Sequence, residues 1–197
     1  MKNIIITGGL GYIGTELCKI YSGVSWNHKI TVIDNRFISE RVNQLRNWNI
    51  NFVHGDILDK GLINKYCKDA DIVHHLAGIT DVPRVKKDSN DSIDNQIILV
   101  GEKGTQNILD VISDKCKIIF PSTHVVYEGL DKVKNDINED ENTKPVLAYA
   151  ISKANNEKQL KDSGKNYIIL RLGSVYGYST DTARIDIMPN LFSKIAS

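Results

Sequence analysis

The chain has 197 residues, 41% of them hydrophobic and 25% charged, with a formal net charge of +1. That length suits one domain, or one domain with a fragment of a second, and the apolar share is ample for a buried core. So balanced a charge excludes a global field that would draw the chain to nucleic acid or to an anionic membrane surface.

In chain order, short β-branched runs alternate with longer amphipathic ones. Residues 4–6 predict a strand and 12–22 a helix; 30–33 a strand and 40–46 a short helix; 51–53 a strand and 61–66 a helix. Residues 72–76 predict a strand and 92–113 a helix; 117–120 a strand and 148–162 a helix; 167–170 a sixth strand. Most strands lack clear polar alternation, as expected where both faces are covered. Within 92–113, Ile93, Ile97, Val100, Ile108 and Ile112 recur mostly three and four apart, which makes one apolar stripe. The stretch 129–144 is polar and acidic and reads as a solvated loop. This order predicts an α/β fold, a doubly wound parallel sheet with right-handed crossovers.

Three cysteines, Cys18, Cys67 and Cys116, stand far apart with no Cys-x-x-Cys pair. Each reads as a small buried hydrophobe in a reducing compartment, and neither a metal site nor a disulfide framework is expected. Met1-Lys2-Asn3 is followed by only three isoleucines before a glycine turn, too short a run for a signal peptide or a bilayer span. A cytoplasmic location is the expectation.

The turn Thr7-Gly8-Gly9-Leu10-Gly11-Tyr12-Ile13-Gly14 joins the first strand directly to the first helix. In that context Gly8 permits the sharp turn, Gly11 lets the backbone approach a pyrophosphate, and Gly14 lets the helix pack closely on the strand. The helix N-terminus offers unsatisfied N–H groups and a positive dipole end to the phosphates. These are features of a Rossmann dinucleotide site. The second strand ends in Asp34, twenty residues past Gly14, where a carboxylate bonds adenosine ribose hydroxyls and favours NAD over NADP. Arg36 keeps NADP as a minor alternative. Asp56, after the third strand, reads either as a partner of the adenine amino group or as a helix cap. Leu76-Ala77-Gly78 would let a cofactor lie across the sheet edge.

Further on, a strand ends in Pro121-Ser122-Thr123, and a helix opens near Tyr149-Ala150-Ile151-Ser152-Lys153. Tyrosine and lysine at i and i+4 share one helix face. An ammonium beside a phenol stabilises the phenolate, which lets the tyrosine serve as general acid and base.

Together these segments resemble the extended short-chain dehydrogenase/reductases, specifically the nucleotide-sugar epimerases and dehydratases. The resemblance spans the chain through TGGLGYIG (7–14), IDN (33–35), GDI (55–57), HLAG (75–78), GTQNIL (104–109), PSTHVVYE (121–128), YAISK (149–153) and RLGSVYG (171–177). It implies that Thr123 hydrogen-bonds the reacting sugar oxygen and Tyr149 is the acid–base. Lys153 would bind the nicotinamide ribose and lower the tyrosine pKa. The cofactor set it implies is Gly8, Gly11, Tyr12, Ile13 and Gly14; Asp34, Asn35, Asp56 and Ile57; Leu76, Ala77 and Gly78; with Tyr149 and Lys153. The substrate set is Thr80, Thr123 and Ser174, with no metal. The implied chemistry is hydride exchange between a sugar carbon and NAD, with the keto intermediate of an epimerase taking the hydride back on its other face.

Several positions depart from the family pattern. Dehydratases of the group carry an acidic pair after the threonine; here stand His124, which reads as structural, and Val125, which can do no proton chemistry. Glu128 replaces a common glycine, Gly101 a common asparagine, Ser174 an asparagine that contacts substrate, and Tyr178 a proline. Family members continue into a small C-terminal lobe that grips the substrate nucleotide. The expectation is therefore an NAD-binding domain over 1–175 and the start of a truncated substrate lobe over 176–197. The expected activity is an NAD-dependent nucleotide-sugar epimerase, with a sugar reductase or a catalytically silent NAD(P)-binding module as alternatives. The family also implies a homodimer through helices 92–113 and 148–162, although those same helices could simply cover the sheet.

Overall fold

A computed structural model of the chain describes residues 1–80, 90–177, 179 and 187–196. Its elements run β1 (Lys2–Thr7), α1 (Tyr12–Ser22), β2 (His28–Asp34), α2 (Ser39–Asn47), β3 (Asn51–His54), α3 (Lys60–Cys67) and β4 (Ile72–His75). They continue with α4 (Asp91–Leu109), β5 (Lys117–Thr123), α5 (Ala148–Asp162), β6 (Asn166–Leu172) and α6 (Met188–Ala196). Single 3-10 turns follow α1 and β5, at Ser25–Asn27 and His124–Tyr127. Tyr178, one of the departures from the family pattern, lies outside the described residues.

All strands are parallel, in the order β3-β2-β1-β4-β5-β6. The chain winds outward in one direction from β1 and then restarts beside it at β4. The switch between those two directions opens a crevice at the carboxyl ends of β1 and β4.

Side-chain alternation in β1 shows how the sheet is held. Ile4 and Ile6 join Leu10, Cys18, Ile30, Val32, Val42 and Leu45 in a core between the sheet and α1 and α2. Ile5 points the other way, to Ile33, Ile63, Val73, Ile108, Ile118, Phe120 and Leu160 beneath α3, α4 and α5. The three consecutive isoleucines of this strand thus serve two cores, each contributing about 1.5–3 kcal/mol. All three cysteines are buried in these cores.

β6 departs from the doubly covered expectation: Tyr167, Ile168 and Leu170 are each 37–43% exposed, because it is an edge strand. α4 ends at Leu109, earlier than position 113. Ile112 still reaches the core, from a turn in which its N–H bonds the Ile108 carbonyl at 3.1 Å. Among the described residues, no helix is long and apolar enough to cross a membrane.

Candidate active site

A cleft of about 970 Å³ opens along the carboxyl ends of the strands, between the glycine turn and the start of α5. Every residue that the sequence placed in the catalytic, cofactor and substrate sets lines it.

The glycine turn forms one wall. Gly8 sits at φ +70°, and a Cβ there would lie 2.7 Å from the Ala77 nitrogen. Its N–H bonds the Ile33 carbonyl at 2.8 Å, and its own carbonyl takes the Gly11 N–H at 3.0 Å. A Cβ on Gly14 would strike the Gly8 carbonyl at 2.5 Å, so Gly14 keeps α1 close to the turn itself and less to the strand. Gly9, which has no role in the sequence pattern above, packs against Val32, whose Cγ1 would be 2.5 Å from an added Cβ. Gly11 is the N-cap of α1 and brings no side-chain cap, and the first turn carries no acidic residue. The helix therefore presents bare N–H groups to the cleft, a cradle that fits a pyrophosphate.

At the β2 end of the cleft, Asp34 is buried at the strand tip. Its carboxylate takes the Leu10 N–H at 3.0 Å, the Arg36 N–H at 3.0 Å, and Arg36 Nε and Nη2 at 3.2 and 3.3 Å. The α2 residue Arg41 donates to the Leu10 carbonyl. Asp56 accepts from Asn35 at 3.0 Å and from the Leu58 N–H at 2.9 Å. The helix-cap alternative for Asp56 is corrected: Asp59 caps α3, through the Leu62 N–H at 3.0 Å. Asn107 of α4 donates to the carbonyls of Ile57 and Leu58 and so anchors this loop.

The opposite wall comes from β5 and α5. Thr123, nearly buried at the end of β5, accepts the Val125 N–H at 3.3 Å and starts the 3-10 turn. Lys153 donates to the Pro121 carbonyl at 2.8 Å, and its ammonium lies 4.4 Å from the Phe120 ring centre and 5.8 Å from that of Tyr149. Burial pushes the Lys153 ammonium down to about 8. It remains mostly charged at neutral pH, in a poorly hydrated setting where a cation acts strongly on a nearby phenol.

Behind this wall lies a network that the sequence reading did not single out. Ser122 donates to Glu157 at 2.5 Å, and Arg171 of β6 grips the same carboxylate at 2.7 and 3.0 Å. Arg171 also donates to the Tyr127 hydroxyl and to the Glu139 carbonyl, tying in the acidic loop. Burial alone would raise the Glu157 carboxyl; the bonds from Arg171 and Ser122 outweigh it and hold the group below its ordinary value. Two signals point to this network: Glu157 stands at i+4 from Lys153, and Arg171 interrupts an apolar strand. His75, from the HLAG segment, bonds Thr7 Oγ1 at 2.9 Å and Thr105 Oγ1 at 3.0 Å. Burial, with a smaller push from Lys153, takes it down to about 3, so it stays neutral.

The departures from the family pattern also have physical places. His124 is exposed and its ring bonds the Leu172 carbonyl at 3.1 Å, in keeping with a structural histidine. Glu128 accepts the N–H groups of Val146 and Leu147 at 2.8 and 2.7 Å and so pins the chain entering α5. A Cβ on Gly101 would lie 2.1 Å from Ser152 Oγ, so a side chain there has no room while α4 and α5 pack this closely. Ser174 and Thr80 are exposed on the rim.

Comparison with known proteins agrees with this geometry. The chain is 33% identical over 198 residues to a dTDP-D-glucose 4,6-dehydratase of Dictyostelium discoideum, matching 90% of this chain and 44% of that protein. It is 31% identical over 204 residues to the CDP-paratose 2-epimerase of Salmonella typhi, covering 88% of this chain and 57% of that one. The chain spans about half the length of the curated relatives it matches. A crystal structure of UDP-glucuronic acid 4-epimerase from Bacillus cereus in complex with NAD superposes with a TM-score of 0.77 at 26% identity, over 98% of this chain and 62% of that one. The model of the NAD dependent epimerase/dehydratase family matches residues 4–197. A glycine cradle facing a threonine, tyrosine and lysine across one parallel sheet is thus accounted for by descent: the chain belongs to the NAD dependent epimerase/dehydratase family.

Proposed function

We propose that the chain is the cofactor-binding and catalytic part of an NAD-dependent epimerase acting on a nucleotide-activated sugar. The observation that carries this reading is the placement of Lys153 against Tyr149, on the wall that holds Thr123 and faces the glycine cradle. Gly8, Gly11 and the open end of α1 would hold the pyrophosphate, with Asp34, Asn35 and Asp56 at the adenosine and Lys153 at the nicotinamide ribose. NAD, when bound, supplies a nicotinamide ring that takes a hydride from a sugar carbon and returns it.

The protein's own part is proton handling and positioning. The Tyr149 phenolate takes the proton of the reacting hydroxyl as the carbonyl forms, and gives it back on the return. Lys153 stabilises that phenolate; one of its three donors is committed to Pro121, which fixes the ammonium in place. Thr123 hydrogen-bonds the same sugar oxygen. Thr80 and Ser174 on the rim would meet the rest of the substrate.

Dehydration is the second reading, favoured by the 33% identity to a dehydratase. It needs a proton donor and acceptor after Thr123, and Val125 lines the cleft where one would stand. For that reason epimerisation is preferred. The intact Thr123–Tyr149–Lys153 set argues against a silent binding module. Reduced, buried cysteines fit the cytoplasm, where we place the protein, and exposed Leu99 on α4 supports a homodimer through α4 and α5.

The test is incubation with NAD and a panel of UDP-, dTDP-, CDP- and GDP-sugars, with products read by NMR. Expected is an epimerised sugar, lost by about 10²–10⁴ in Tyr149→Phe. Absence of product and of reduced nicotinamide with every sugar would refute an enzymatic role.

A further inference from the structure

The contacts at Asp34 carry a consequence for cofactor choice, resting on the cofactor reading above. A carboxylate has about four acceptor positions. At Asp34 four hydrogen bonds use them: the N–H groups of Leu10 and Arg36, and Nε and Nη2 of the Arg36 side chain. Its side chain is 3% exposed, whereas that of Arg36 is 53% exposed and lines the cleft. Ribose hydroxyls can bond Asp34 only where Arg36 gives way.

The guanidinium covers the cleft side of the Asp34 carboxylate. A Cβ on Gly11 would be 3.7 Å from Arg36 Nη2, so the arginine bridges the glycine turn and the end of β2. Arg41 brings a second guanidinium to the same turn, on the Leu10 carbonyl. Asp34 is thus paired with one guanidinium, and a second cation stands on the neighbouring turn. Asp56 lies on the other side of Asn35, whose amide takes part of its charge.

We propose that Arg36, clamped on Asp34, forms a 2′-phosphate site, so that this cleft accepts NADP(H) as well as NAD(H). With NAD, Arg36 swings away and Asp34 takes the ribose hydroxyls. With NADP, Arg36 stays in place and reads the added phosphate, which is planar bidentate recognition of the kind guanidinium provides. The dianionic phosphate meets a carboxylate already neutralised.

The test is a titration of the purified chain with NADH and NADPH by fluorescence, and with 5′-ADP and 2′,5′-ADP by calorimetry. Expected is NADPH binding within about tenfold of NADH, with 2′,5′-ADP at least matching 5′-ADP. Arg36→Ala should weaken NADPH and 2′,5′-ADP by about tenfold or more, the worth of one lost charge-assisted bond. NADH should change far less, and Arg36→Lys should restore part of the loss. An unchanged melting curve for Arg36→Ala shows that the fold is intact. Binding of NADH without NADPH, or equal loss of both in Arg36→Ala, overturns the proposal and leaves the NAD reading standing. Failure of every probe overturns both.

Discussion

Replacing Glu157 by glutamine keeps its shape and removes its charge, leaving the Arg171 guanidinium, 10% exposed, without its anion. The pair is short, at 2.7 Å, and Ser122 completes it from β5 at 2.5 Å. Removing one partner of a buried pair costs about 3–5 kcal/mol, because the other charge stays buried and uncompensated. For a domain with a total stability of about 5–15 kcal/mol that is a large fraction. With a urea slope of about 2 kcal/mol/M, the midpoint should fall by about 1.5–2.5 M. Urea unfolding of Glu157→Gln, Arg171→Met and the apolar double variant Glu157→Leu/Arg171→Met gives the answer. Both singles should be weak and the double should regain much of the loss. A single cost below about 1 kcal/mol, or losses that simply add, would refute the view that these residues act as one buried pair.

Gly8→Ala places a side chain at φ +70° and against the Ala77 backbone. Expect about 1–2 kcal/mol from the left-handed backbone alone, read by thermal melting, with loss of NAD binding. Gly101→Asn drives a side chain into Ser152 Oγ, at 2.1 Å from the new Cβ, and should cost about 1–3 kcal/mol in urea unfolding, relieved in part by Ser152→Gly. His75 is neutral in the fold, with its pKa down at about 3. The unfolded chain takes up that proton below its ordinary value, so stability is lost as pH falls from about 6.5 toward 3. The loss should be about 2 kcal/mol at pH 5 and absent in a folded His75→Gln. Lys153 titrates at about 8, so turnover limited by its positive charge should fall as pH rises through that value, in a pH–rate profile.

Local signals made much of this protein legible. The glycine turn, Asp34 at the end of β2, and Tyr149 with Lys153 are short patterns tied to one turn, one strand end and one helix face. All four positions meet in one cleft. The strands were legible because unbroken β-branched runs suit a sheet covered on both faces. What was hidden depends on contacts distant in sequence. Glu128 pins residues eighteen and nineteen positions later, and Glu157 meets Ser122 across thirty-five. The clamp of Arg36 on Asp34 is close in sequence, yet it turns on side-chain direction, which spacing does not encode. The end of α4 is not legible because Ile112 keeps the helical period while sitting in a turn.

Calorimetric titration of NAD into the wild-type chain and into Gly8→Ala tests the central claim most directly, since it needs neither the right sugar nor a complete substrate site. A saturable heat at one equivalent for the wild type, absent in a folded Gly8→Ala, is the predicted result. No heat from the wild type, or equal binding by both proteins, would contradict the assignment of this cleft.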